Sequence, residues 1–183
     1  MRVIAGDKRR ILLDTPEGLN TRPTQDRIKE TLFNIIGPDI TDSRFLDLFS
    51  GSGQMGIEAL SRGARKAYFF EADSKALKCI NNNLLKTSLT ESAKVVSGDI
   101  FSNISSVSKE EPFDFVFMDP PYNKLFEKKI LELIKDFDSI DQYTTIIVEA
   151  DLETDFSYLT DTGFEIVKEK TYKTNKHVFI KRA

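Results

Sequence analysis

From residue 43 onward, short apolar runs alternate with longer amphipathic stretches. SRFLDLF (43–49), KAYFFEA (66–72), AKVVSGD (93–99), FDFVFMD (113–119) and TTIIVEA (144–150) read as strands. GSGQMGIEALSR (51–62), SKALKCINNNLLKTS (74–88) and LFEKKILELIKDF (125–137) read as helices between them, while 100–111 is poorly marked. The strands carry β-branched and aromatic residues on both faces, as a parallel sheet covered by helices requires. Alternating strands and helices imply right-handed βαβ units. The end of the chain breaks the rhythm. GFEIVKEKTYK (163–173) and KHVFIKR (176–182) are joined by a short link and predict an antiparallel hairpin. At the start, MRVIAG and RRILLD predict two short strands turning at Asp7-Lys8, and 15–23 reads as loop. Thr24 can cap a helix over Gln25–Ile36, striped by Ile28, Leu32, Ile35 and Ile36 and stopped by Gly37-Pro38. The expected architecture is α/β and Rossmann-like: a mostly parallel seven-stranded sheet with an antiparallel C-terminal hairpin. Residues 1–40 add a small hairpin and helix to a core at 41–183, all as one domain.

The 183 residues are 40% hydrophobic and 30% charged, ordinary for a globular chain. No run of 18 apolar residues and no signal-peptide core occur, so a cytoplasmic protein without a membrane segment is expected. A single cysteine, Cys79, precludes an intramolecular disulfide, and a single histidine, His177, argues against structural zinc; no metal is expected. The net charge of −3 is unevenly spread: the first 30 residues carry seven Lys or Arg against five Asp or Glu. Lys8, Arg9, Arg10, Arg22 and Arg27 concentrate there. Such a cluster is a solvated mixed-charge surface or a place to hold phosphates.

Four acids fall near the ends of expected strands: Asp47, Glu71, Asp99 and Asp119, separated by 24, 28 and 20 residues. That is about one βα unit each, so they should converge along one edge of the sheet, where ligands of open α/β folds bind. Gly51, Gly53 and Gly56 form G-x-G-x-x-G between a strand and a helix, a pattern that lets backbone approach a ligand closely. Glu71 can accept from ribose hydroxyls, Asp99 from an adenine amine, and Asp47 can hold the loop or reach a ligand amine. Asp119-Pro120-Pro121-Tyr122 closes the fourth strand. Two prolines fix two φ angles and hold the residues before them extended. A carboxylate, rigid carbonyls and a flat ring then follow one another with little freedom.

FLDLFSGSGQMGIEALSRGA resembles the first motif of class I S-adenosylmethionine-dependent methyltransferases. With MRVIAG, NTRPTQDRIKETLFN and DPPY, the whole chain resembles the RsmD family. Tyr172-Lys173 departs from the family's usual Tyr-Gly. The resemblance implies methylation of the N2 amine of one guanine in 16S rRNA, with S-adenosylmethionine as donor. It implies a cofactor site of Asp47, Gly51, Gly53, Glu71, Asp99 and Ile100, and a catalytic stretch Asp119, Pro120, Pro121 and Tyr122. Asp119 and the Pro120 carbonyl would each accept one amine hydrogen, turning the lone pair out of conjugation, while Tyr122 stacks on the base. Arg9, Arg10, Arg22 and Arg27 would face RNA, although Arg22 and Arg27 could instead order the loop over the cofactor. The expected partner is 16S rRNA within an assembling or assembled 30S subunit, met by a monomer. An adenine-N6 DNA methyltransferase shares DPPY but usually needs a target-recognition region. A non-catalytic nucleotide-binding module or an NAD oxidoreductase has no use for DPPY.

Overall fold

The computed structural model describes residues 1–16, 23–122 and 124–183. Seven strands form one sheet: β1 (Arg44–Leu48), β2 (Lys66–Glu71), β3 (Ala93–Ser97), β4 (Phe115–Met118), β5 (Thr145–Asp151), β6 (Phe164–Thr171) and β7 (Asn175–Arg182). Their order is β3-β2-β1-β4-β5-β7-β6. β1 to β5 pair in parallel, and β7 runs antiparallel to both β5 and β6. Helices α1 (Pro23–Ile36), α2 (Gln54–Ser61), α3 (Ser74–Thr87), α4 (Ile100–Asn103) and α5 (Phe126–Ile134) complete the elements used below. The order reverses direction at β1/β4, where a crevice opens beyond the strand ends.

Two apolar layers explain the two-sided strand pattern. Leu46, Leu48, Val116, Met118, Ile146 and Val148 pack on one face with α5, while Phe45, Phe69, Phe117 and Ile147 pack on the other with α1, α2 and α3. Edge strand β6 is exposed for almost its whole length, and a bulge at Ile166/Lys168 interrupts its pairing. Bulges and charged residues on an edge discourage pairing with another chain.

The N-terminal hairpin is slighter than its sequence suggests. One bridge joins Arg2 to Leu12, the Val3 amide donates to the Ile11 carbonyl and the Arg10 amide to the Val3 carbonyl, but no full strand forms. The segment is instead held by α2. Buried Glu58 accepts from the amides of Ile4 at 2.8 Å and Ala5 at 3.0 Å, and from Arg62 Nε at 2.8 Å. Lys29, also buried, lies 3.4 Å from Glu58 and donates to the Arg2 carbonyl. Backbone donors taken up by a side chain on another element are not available to a ladder. Helix α1 starts at Pro23, a residue suited to the first helical position, so Thr24 falls inside the first turn rather than ahead of it. α5 ends at Ile134, three residues short of its amphipathic pattern, and the poorly marked stretch holds α4 and a 3₁₀ turn at Ile104–Val107. No helix among the described residues is long and apolar enough to cross a membrane.

Candidate active site

The loop after β1 is shaped before any ligand is considered. Phe49 has φ 65°, a left-handed conformation that a bulky residue rarely adopts, and Gly53 has φ 77°. Gly56 is demanded by space: a Cβ there would lie 2.3 Å from the Phe69 ring, so helix α2 can approach β2 only without one. Two carboxylates hold the loop. Asp47, buried in β1, accepts from the Gly56 amide at 3.1 Å. Glu71, at the end of β2, accepts from the Gly51 amide at 2.7 Å and from the Ala72 and Asp73 amides at 2.8 Å each.

Those bonds refine the expected roles. Asp47 holds the loop, and it also lines a cavity of about 480 Å³ with Gly51, Phe49, Gln25, Asp119 and Glu149. Burial pushes its carboxyl up to about 8, against the Gly56 amide that favours the ionised form; the charges of Glu71 and Asp119 add to the rise. Glu71 has three of its roughly four acceptor positions filled by backbone, which leaves room for one ribose hydroxyl rather than two. Asp99 uses Oδ2 to cap α4, accepting from the Ser102 amide and hydroxyl at 2.9 Å each, and keeps Oδ1 for a ligand. A second cavity, of about 160 Å³, joins Glu71, Asp99 and Ile100 to Phe49, Phe101 and Phe126. Phe101 meets Phe126 edge-on at 5.0 Å, and Phe49 stacks on Phe126 at 6.2 Å. An apolar aromatic slot with an acceptor at its rim and a ribose acceptor beside it suits an adenosine.

Gly53 and Pro121 are not in these walls. Gly53 is buried under the loop near Ile80 and Phe69, and Pro121 is exposed outside both cavities. Asp119 opens into the large cavity, whereas Pro120 and Tyr122 line a third one of about 360 Å³. Much of Asp119 stays solvent-accessible, but it sits low in a crowded cleft. That partial dehydration, with the charge of Glu149, pushes its carboxyl up to about 7. Tyr122, 40% exposed, has its hydroxyl raised by burial and by Glu149 and Asp119. Arg9, Arg10 and Arg27 do converge, with Arg2, around a cleft of about 530 Å³. Lys8 is not in its wall, and Arg22 lies outside the described residues.

The family model described as "Conserved hypothetical protein 95" matches residues 1–181. Ribosomal RNA small subunit methyltransferase D of Haemophilus influenzae is 37% identical over 175 residues, covering 93% of this chain and 88% of that one. The chain belongs to the RsmD family. Among other RsmD-like proteins, YlbH of Bacillus subtilis is 39% identical over 94% of each chain. The solved structure of yhhF from Escherichia coli superposes with a TM-score of 0.82 at 31% identity, covering 100% of this chain and 97% of that one. The seven-stranded sheet is thus the class I methyltransferase fold.

Sequence reasoning missed Phe49, Phe101, Phe126, Gln25 and Glu149. The signal for one of them was present. Glu149 lies near the end of β5, 30 residues after Asp119, and continues the series of strand-end acids. In spatial order these acids run Asp99, Glu71, Asp47, Asp119, Glu149 across β3-β2-β1-β4-β5.

Proposed function

We propose that this protein methylates the N2 exocyclic amine of one guanine in 16S rRNA, acting as a monomer on an assembling or assembled 30S subunit. Methyl transfer to ribosomal RNA follows the relatives of Haemophilus influenzae and Bacillus subtilis. S-adenosylmethionine is the donor; when bound, it supplies a methyl group already activated on a sulfonium. The observation that carries the finer reading is that Asp119 and Pro120, adjacent in sequence, face adjoining cavities, one beside the glycine loop and one walled by Tyr122.

Phe49, Phe101, Phe126 and Ile100 receive the adenine, Asp99 takes its amine, and Glu71 takes a ribose hydroxyl. Asp119 and the Pro120 carbonyl accept the two hydrogens of the guanine amine, which aims its lone pair at the methyl carbon. With the donor bound, the amine nitrogen would take the methyl carbon while the carbon–sulfur electron pair left with the sulfur. The amine is left with one surplus proton, which Asp119 is placed to take. Tyr122 holds the base plane, a stacking contact typically contributing ~1–3 kcal/mol. Arg2, Arg9, Arg10 and Arg27 hold phosphates near the cleft mouth. The whole chain serves as one catalytic unit.

Mass mapping of 16S rRNA from cells with and without this gene tests the reading. The expected result is one N2-methylguanine lost in the deletion and restored by the wild-type gene. An unchanged set of methylguanines would overturn it.

A further inference from the structure

Glu149 is, among the described residues, the one that lines both the cavity holding Asp119 and the cavity holding Pro120 and Tyr122. It stands opposite His177 in the β5/β7 register. Asn175 Nδ2 donates to its Oε1 at 2.5 Å, and its Oε2 lies 3.2 Å from His177 Nε2. His177 is fully buried, and its Nδ1 lies 3.1 Å from the Tyr172 hydroxyl. The carboxylate plane is therefore fixed from β7, yet each oxygen retains acceptor capacity. Nothing in methyl transfer as described above uses it. Fixing a partly exposed carboxylate at the junction of two cavities makes sense if something between them donates to it.

We propose that Glu149 accepts the N1–H of the target guanine and thereby makes the site select guanine over purines with a bare lone pair at N1. The inference rests on the guanine-N2 reading and deepens it. In guanine the N1–H and the N2 amine lie side by side on one edge, so an amine seated at Asp119 and Pro120 puts N1–H toward a neighbouring acceptor. Adenine offers the opposite: its amine is flanked by an N1 lone pair, which a carboxylate repels. Tyr122 and Tyr158 wall the slot into which the rest of the base would pass. Its other side chains include Glu153 and Asp155, with Lys128 over the Tyr158 ring at 5.4 Å. A site built to bond one hydrogen rejects the analogue lacking it far more strongly than an apolar slot rejects a change of size.

2-Aminopurine separates the two groups, because it keeps the amine but has a lone pair at N1. The experiment uses small subunits reconstituted with 16S rRNA that carries guanine or 2-aminopurine at the position found by mapping. Wild-type enzyme should favour guanine by at least 10³ in kcat/KM, in keeping with rejection of an analogue that lacks a bonded hydrogen. Glu149→Gln can offer an amide N–H to the N1 lone pair. It should lose about 10²-fold on guanine and narrow the preference for guanine at least tenfold, as loss of a charge-assisted bond implies. An unchanged guanine:2-aminopurine ratio in Glu149→Gln, or a wild type that methylates both equally, overturns this proposal while leaving the guanine-N2 reading intact. No N2-methylation of the guanine-bearing subunits by wild type would instead defeat that reading. A cooperative melting transition and an unaltered circular-dichroism spectrum show that the variant folds, and Glu149→Asp, which keeps the carboxylate, should retain the wild-type ratio at reduced rate.

Discussion

Asp119 must be ionised to accept an amine hydrogen well, and its protonation is shifted toward neutral pH. Its carboxyl is raised to about 7 by partial dehydration in the cleft and by Glu149, so the reactive fraction falls as pH drops below that value. The single-turnover rate should decline about tenfold per unit below pH 7, and Glu149→Gln should move that limb to lower pH by removing a like charge. A rate flat from pH 8 to pH 5.5 would exclude Asp119 as acceptor. Asp119→Ala should lower kcat by about 10²–10³, the scale for losing one oriented polar group. Glu71→Ala should weaken S-adenosylmethionine roughly 10- to 150-fold, corresponding to ~1.5–3 kcal/mol. Part of that loss comes through the loop, since Glu71 also holds the Gly51 amide; calorimetric titration would reveal it as a smaller binding enthalpy.

Among the elements, helix α2 depends on one missing methyl group. Gly56→Ala forces a Cβ against the fully buried Phe69 ring at 2.3 Å, and overpacking of this kind costs ~1–3 kcal/mol. The denaturation midpoint should fall, and cofactor affinity with it, because Asp47 anchors the same amide. The elements were also where the sequence was most readable. Strands buried on both faces leave apolar runs, and DPPY and the glycine loop bring their own backbone constraints. What escaped reading was contact across elements. Glu58 sits within an ordinary amphipathic helix, and nothing local says that two N-terminal amides will end on it. Phe49, Phe101 and Phe126 come from three separate loops and helix starts, so each alone looks like core. Glu149 was legible by the strand-end spacing but lacks a motif of its own. The hairpin at 1–14 was over-read because its alternation is real while its donors are spent elsewhere.

At the scale of the whole molecule, a net charge of −3 with one arginine-lined cleft among the described residues implies weak and salt-sensitive contact with free RNA. Arg9→Ala with Arg10→Ala should reduce the slope of log affinity against log salt by ~1.4–1.8, the amount expected for two phosphate contacts. Assembled small subunits should be methylated faster than naked 16S rRNA at equal concentration, because presentation of the base saves the few kcal/mol of unstacking it. Equal initial rates on the two would contradict this.

The row of strand-end acids has a consequence for the order of events after methyl transfer. The donor enters as a sulfonium cation and departs as a neutral thioether, so the cleft discriminates between the two by charge. Asp47 and Asp119, raised to about 8 and about 7, are both ionised at pH 9. There, the two negative charges favour the cationic S-adenosylmethionine over the neutral S-adenosylhomocysteine. Toward pH 6 the preference should shrink as both acids take up protons, and Asp47→Asn should flatten it. Loss of that charge weakens the hold on the spent cofactor while the adenosine contacts persist, so the titration of the strand ends should set how readily it leaves.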